Sequence, residues 1–365
     1  MPVPPLNPHI AGLPVYVPGK PIEHVAREFG LDASEVIKLA SNENPLGPSP
    51  LALAAMQRTL KDLHLYPDGN AFFLKQALAR KLYVETANLV LGNGSNELIE
   101  YVGHAFLHSD SEAVVSEYCF AVYPIVVALF GAKLVTVPAR GFASDIPAML
   151  RAITPRTRVI FLANPNNPTG TLVSTADVTR LLSEVPPHVL IVMDEAYVEF
   201  LADPTDCLAL VRENLQPNLL LLRTFSKIFG LAGLRLGYGV AAPEIIEAFE
   251  KVRQPFNINA IAQAGALAAL EDEEHIARTR ATNQQGLDYL HRAFAQLGLE
   301  HVPSHANFVL VKVGDGARVF AELQRRGIIT RPMASYSLPE WLRISVGTPE
   351  QNHRCVTALR EVLGR

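Results

Sequence analysis

A lysine at the end of a hydrophobic run, among hydroxyl and apolar residues, is the first group in this chain with covalent chemistry in reach. Leu219-Leu-Leu-Leu-Arg-Thr-Phe-Ser-Lys227 ends in such a lysine, and Gly230-Leu-Ala-Gly-Leu-Arg235 follows it. An amine taken out of water has a lowered pKa and attacks an aldehyde. Thr224, Ser226 and Arg235 are phosphate-binding types around it; the rival reading is a solvated lysine at a strand end. Val189-Leu-Ile-Val-Met-Asp-Glu-Ala-Tyr197 ends just as abruptly in two carboxylates and a phenol. Asp194 then lies at the carboxyl edge of a buried strand, where a carboxylate is expected to have a cationic partner.

Two further segments carry binding chemistry. Asn164-Pro-Asn-Asn-Pro-Thr-Gly170 follows an apolar run, and its prolines and glycine dictate an irregular polar loop where open α/β sheets place ligands. Leu89-Val-Leu-Gly-Asn-Gly-Ser-Asn-Glu97 reads as strand, glycine turn and helix start, so the N–H groups of Gly94, Ser95 and Asn96 face any phosphate there. As a dinucleotide fingerprint it has Glu97 where a third glycine belongs, although Glu117 stands where a ribose-binding acid would. A tight turn with a serine cap is the plain structural alternative. Glu100, His104 and His108 share a helical face but lack the HExxH spacing, so a solvated face is favoured and no metal is assigned.

The elements that must position these residues follow from hydrophobic periodicity. Strands are expected at Leu89–Leu91, Ala113–Ser116, Lys133–Val137, Thr157–Leu162, Val189–Met193 and Leu219–Arg223. Amphipathic helices are expected between them, as at Glu97–Leu107 and Thr175–Leu182. That alternation is the pattern of an α/β protein with a three-layer αβα core. After about residue 275 a long polar-faced helix, His275–Leu297, precedes strands at Asn307–Val311 and Trp341–Val346, which suggests a second, smaller domain. Ile22–Leu39 reads as a helix and a short strand that either packs on the C-terminal unit or leads into the core.

With 365 residues the chain has room for a large core and an enclosed site. Charged residues are only 19%, below the roughly 25% of ordinary soluble domains, so surface buried between domains or subunits is expected. A net charge of −4 offers no basic excess for nucleic acid. The longest uncharged stretches, Tyr118–Ala132 and Gln254–Leu270, are too short or too polar to span a bilayer, and the proline-rich start lacks an export signal. Cys119, Cys207 and Cys355 are odd in number and far apart, which points to no disulfide framework and to a reducing cytoplasm.

Taken in order, NPNNPTG, DEAY, TFSK and GLAGLR resemble the fold-type I pyridoxal-phosphate aminotransferases over nearly the whole chain. SNENPLGPSP (41–50), YPDGN (66–70), GNGSNE and LRISVGT (342–348) are most similar to the histidinol-phosphate aminotransferase family within them. The resemblance implies an α/β fold with a large αβα domain on a mostly parallel sheet and a smaller α+β domain. The division would be 1–45 (arm and part of the small domain), 46–275 (large cofactor domain) and 276–365 (small domain).

It also implies roles. Lys227 would join the aldehyde of pyridoxal 5'-phosphate and later move a proton. Asp194 would hold the pyridine nitrogen protonated, which makes the ring an electron sink. Asn167 and Tyr197 would hydrogen-bond the 3'-oxygen, and Phe120, where many relatives have tyrosine, would stack on the ring. Gly94, Ser95, Asn96, Thr224, Ser226 and Arg235 would form the phosphate cup, joined by Tyr66 from the neighbouring subunit of an obligate homodimer. Arg343 would grip the anionic end of both substrates, with Arg331 and Tyr16 near the substrate phosphate.

The activity implied is transamination between L-histidinol phosphate and 2-oxoglutarate, in histidine biosynthesis, in the cytoplasm. An aromatic amino-acid aminotransferase, a decarboxylase of phosphorylated amino acids and a non-catalytic ligand sensor are the rivals.

Overall fold

The structure, a computed structural model, describes residues 4–13, 15 and 19–365. Tyr16 lies outside the described residues. Thirteen strands occur among them: β1 (Ile37–Lys38), β2 (Leu89–Gly92), β3 (Glu112–Ser116), β4 (Lys133–Val137), β5 (Thr157–Ala163), β6 (Leu190–Asp194), β7 (Leu219–Thr224), β8 (Gly237–Ala241), β9 (His301–Val302), β10 (Phe308–Lys312), β11 (Ile328–Ile329), β12 (Arg331–Met333) and β13 (Leu338–Ser345).

Seven of them form the central sheet in the order β2-β8-β7-β6-β5-β3-β4. Neighbours pair in parallel from β7 through β4, whereas β8 runs antiparallel to both β7 and β2. β2 therefore points the same way as β7, and the carboxyl ends of every strand but β8 share one edge. Side chains alternate between two faces, as the strand period requires. Ile160 and Leu162 join one core with Leu74, Leu78, Val178 and Leu181. Val159 and Phe161 join another with Leu98, Val102, Tyr123 and Phe249. Helices thus cover both faces, and the layers are αβα.

The second sheet has the order β12-β13-β10-β9. Its face packs Val309, Val311, Leu342 and Ile344 against Leu290, Phe294, Leu323 and Leu359 from three C-terminal helices. The early helix Ile22–Phe29 and β1 join this part of the chain: β1 pairs in parallel with β11, and the Ser345 amide donates to the Leu39 carbonyl at 2.9 Å. This resolves the open placement of residues 22–39.

β8 is absent from the strands expected from sequence, because Gly237 and Gly239 interrupt its apolar pattern. The fold needs the first of them: a Cβ on Gly237 would lie 2.5 Å from the Ser95 amide and 2.9 Å from the Arg223 carbonyl. The helix start at Ser95 is pressed against β8 through that gap. Gly237→Ala should therefore destabilise the protein by about 1–3 kcal/mol, the usual cost of overpacking. Thermal and urea unfolding check this, and an unchanged midpoint would show that the gap is not needed.

Candidate active site

The carboxyl edge of the central sheet and the second sheet enclose a cleft of about 380 Å³. Among the residues singled out from sequence, Gly94, Ser95, Asn96, Phe120, Asn167, Asp194, Tyr197, Thr224, Ser226, Lys227, Arg235, Arg331 and Arg343 line it. Tyr66 does not: it is 83% exposed and stacks on Phe256 with ring centroids 4.9 Å apart.

Lys227 lies three residues beyond β7, and its Nζ donates to the Ser41 carbonyl at 3.2 Å. Burial and the nearby Arg343 guanidinium bring its pKa down to about 8, against the opposing pull of Glu43 and Asp194. Burial disfavours the ammonium, so the amine is a usable nucleophile near neutrality.

Asp194 closes β6 and is 5% exposed. Its Oδ2 accepts the Tyr123 hydroxyl at 2.7 Å, and its Oδ1 accepts the Ala196 amide at 3.1 Å. Lys227 is the nearby positive charge, and the phenol and amide donate directly to the carboxylate. Burial nevertheless raises the carboxyl pKa above the ordinary value. Tyr123 is fully buried and stacks on Phe161, so the hydroxyl is held in place from below the sheet edge. Next in sequence, Glu195 pairs with Arg223 at 2.8 Å beneath the site.

The loop after β5 spends most of its polar groups on the backbone around it. Asn164 Oδ1 accepts the Val173 amide at 2.8 Å, and Asn166 Nδ2 donates to the Tyr118 carbonyl at 2.7 Å. Asn167 alone turns its amide into the cleft, where Oδ1 accepts from Arg343 Nη1 at 2.5 Å. Arg343 also donates from Nη2 to the Ala40 carbonyl at 2.8 Å and lies over the Phe308 ring.

At the other end, Gly94 caps the helix Ser95–Phe106 with φ of +77° and without a side-chain cap bond, so the helix start presents free N–H groups to the cleft. A Cβ on Gly94 would fall 2.7 Å from Arg235 Nη2. Glycine thus lets the guanidinium close over the helix N-terminus, an anion cradle with Thr224 and Ser226 alongside. Glu117, the acid that a dinucleotide's ribose would use, is tied to the Ala139 amide instead, and Glu97 accepts the Asn93 amide.

Across the cleft, Arg331 and Arg343 are register partners in the antiparallel pair β12–β13. Directly opposed residues share one face with Cβ atoms about 5 Å apart, and like charges so placed repel unless an anion joins them. Sequence reasoning missed Tyr123, which sits 71 residues from its carboxylate, and Asn42, whose Nδ2 donates to the Tyr197 hydroxyl at 2.9 Å. Asn42 was inside a quoted motif, but nothing local marks its partner.

The sequence matches the family described as Aminotransferase class I and II over residues 34–359. It is 49% identical to the histidinol-phosphate aminotransferase of Akkermansia muciniphila over 358 residues, 98% of each chain. It is also 49% identical to histidinol-phosphate aminotransferase 2 of Pseudomonas fluorescens, covering 98% of this chain and 97% of that one. The solved structure of histidinol-phosphate aminotransferase from Sinorhizobium meliloti in complex with pyridoxal-5'-phosphate superposes with a TM-score of 0.89 at 31% identity, covering 99% and 98% of the two chains.

The Tyr123 contact generates a prediction. Because burial raises the folded-state pKa of Asp194, the folded protein keeps a proton that the unfolded chain has released, and stability falls as pH rises through that window. Removing the phenol's hydrogen bond worsens the ionised state most. Tyr123→Phe should cost about 1.5–3 kcal/mol above the Asp194 titration, where the carboxylate is ionised, and less at acid pH below it. Unfolding measured across that range checks it; a deficit independent of pH would contradict the assignment.

Proposed function

This chain belongs to the class I and II aminotransferases, and from that membership we propose that it transfers the amino group of L-histidinol phosphate to 2-oxoglutarate, yielding imidazole acetol phosphate and L-glutamate in histidine biosynthesis. The observation that carries the substrate choice is the opposed pair Arg331 and Arg343, two guanidinium groups facing the cleft that holds Lys227. A phosphate near −2 charge with three acceptor oxygens suits two arginines better than a lone carboxylate does.

The residues fit pyridoxal 5'-phosphate. The cradle of Gly94, Ser95, Asn96, Thr224, Ser226 and Arg235 suits its phosphate, and the buried Asp194 carboxylate suits its ring nitrogen. When bound, the group supplies an aldehyde for amines and a ring that stores the electrons of a deprotonated carbon. Phe120 lines the cleft where the ring would lie, and Asn167 and Tyr197 offer polar groups to its 3'-oxygen. Lys227, with its pKa near 8, is about one-tenth neutral at pH 7, against about three parts in ten thousand for an ordinary lysine. It would be the amine that holds the aldehyde and the base that moves the proton at the substrate carbon. Arg343 orients the anionic end, and its bond to Asn167 links substrate position to the 3'-oxygen site.

The same reading makes the protein a homodimer with shared sites, in which Tyr66 serves the neighbouring subunit's cofactor phosphate. Leu51, Leu53, Leu60, Leu63, Leu65, Phe72 and Phe73 are exposed in the same stretch as Tyr66, which supports an apolar surface there that another chain covers. The division 1–45, 46–275 and 276–365 fits the β1–β11 pairing, which joins the early segment to the C-terminal part. No helix among the described residues is long and apolar enough to cross a membrane. A cytoplasmic setting fits three cysteines that are all free and buried.

Purified protein should use histidinol phosphate with a higher kcat/KM than phenylalanine. Arg331→Gln should lower kcat/KM for histidinol phosphate by about tenfold to a hundredfold and that for glutamate less, as loss of a charge-assisted hydrogen bond implies. Steady-state kinetics with both donors decides. Preference for phenylalanine would transfer the reading to an aromatic aminotransferase with the cofactor site unchanged.

A further inference from the structure

Asn42 is 1% exposed, is not glycine, and has φ of +56°, a left-handed conformation that side chains other than Asn, Asp and Gly rarely adopt. All its polar groups are bonded. The backbone amide donates to Ser345 Oγ at 2.9 Å, and the carbonyl accepts from Asn307 Nδ2 at 2.9 Å. Oδ1 accepts from Ser345 Oγ at 2.9 Å, and Nδ2 donates to the Tyr197 hydroxyl at 2.9 Å.

The Ser345 hydroxyl accepts the Asn42 amide hydrogen and gives its own hydrogen to Oδ1, and the NH₂ group faces Tyr197. The Tyr197 oxygen is then an acceptor toward Asn42, and its hydrogen is free to be donated elsewhere. Tyr197 lines the cleft, with its ring held edge-on by Phe308 at 5.5 Å.

We propose that Asn42 is a positioning residue that turns the Tyr197 hydroxyl hydrogen into the cleft, toward the 3'-oxygen of the cofactor; this rests on the cofactor reading given above. Burial lifts the Tyr197 phenol to about 12, so it stays protonated and able to donate at working pH, even though Arg343 and the Asn42 bond pull the other way. Asn42 also ties this donor to β13 through Ser345, two residues from Arg343, so the phenol and the substrate-binding arginine keep one register.

The test titrates the visible absorption of the bound cofactor, which reports the proton shared between its 3'-oxygen and the Lys227 nitrogen. A donor to that oxygen favours its anionic form, so weakening the donor raises the midpoint. Asn42→Gly suits the backbone angle and removes the amide without adding charge. The midpoint should rise by about 0.5–1 pH unit in that variant, in the same direction as in Tyr197→Phe. In a Tyr197→Phe background Asn42→Gly should add almost nothing, because the two act through one hydroxyl. Ser345→Ala, which removes the hydroxyl that holds Oδ1 but keeps the Asn42 donor, should lower stability and raise the midpoint by less than Asn42→Gly does.

If Asn42→Gly does not fold, the isosteric Asn42→Asp replaces the donor by an acceptor, and its midpoint should rise in wild-type background by more than in the Tyr197→Phe background. An unmoved midpoint, or a shift equally large without the Tyr197 hydroxyl, overturns the proposal while leaving the aminotransferase reading intact. A wild-type protein that binds no pyridoxal phosphate overturns both.

Discussion

Burial of the Lys227 amine is the constraint on which the rest of this structure depends. An ammonium at that depth is disfavoured by lost hydration and by the Arg343 guanidinium, and two carboxylates nearby do not outweigh these effects. The amine is half-buried in the cleft at the carboxyl edge of a sheet whose central strands are largely apolar, which limits its hydration. What makes the lysine reactive is the same burial that makes the sheet stable.

The cleft has two walls of different origin. The wall from the central sheet supplies the lysine, the Asp194 carboxylate with its phenol support, and the anion cradle at the Ser95 helix start. The wall from the second sheet supplies two opposed arginines. Long-range contacts join them: Arg343 to Asn167 and Ala40, Asn42 to Tyr197 and Ser345, and Asn44 Nδ2 to the Ile228 carbonyl and Thr279 hydroxyl. Segment 40–44 thus runs between the walls and bonds to each. Its buried polar side chains, Asn42 and Asn44, each have specific partners.

The sequence made much of this readable, for physical reasons. Strands buried on both faces announce themselves as apolar runs, so β3 and β5 through β7 fell within a residue of their expected ends, and the edge strand β4 was legible from its β-branched residues. The short polar stretches that end those runs marked the sheet edge, and β6 running into Asp194 is one example. Where glycine is needed for close approach, as at Gly237, the strand signal is erased by the feature that makes the strand useful. Asp194 shows another limit: burial of the carboxylate was legible, but nothing local marked Tyr123, one helix away, as a donor to it. Tyr66 has no place in this chain's own cleft, and its expected role belongs to an assembly of two chains.

The account turns on one covalent claim, that the Lys227 amine is the group that captures the cofactor aldehyde. Borohydride reduction of protein saturated with pyridoxal 5'-phosphate, followed by peptide mapping, tests it directly. The account predicts loss of the yellow colour and a single stable adduct on the peptide carrying Lys227, with none in Lys227→Ala. An adduct spread over surface lysines, or one of equal yield in the Lys227→Ala protein, would contradict it.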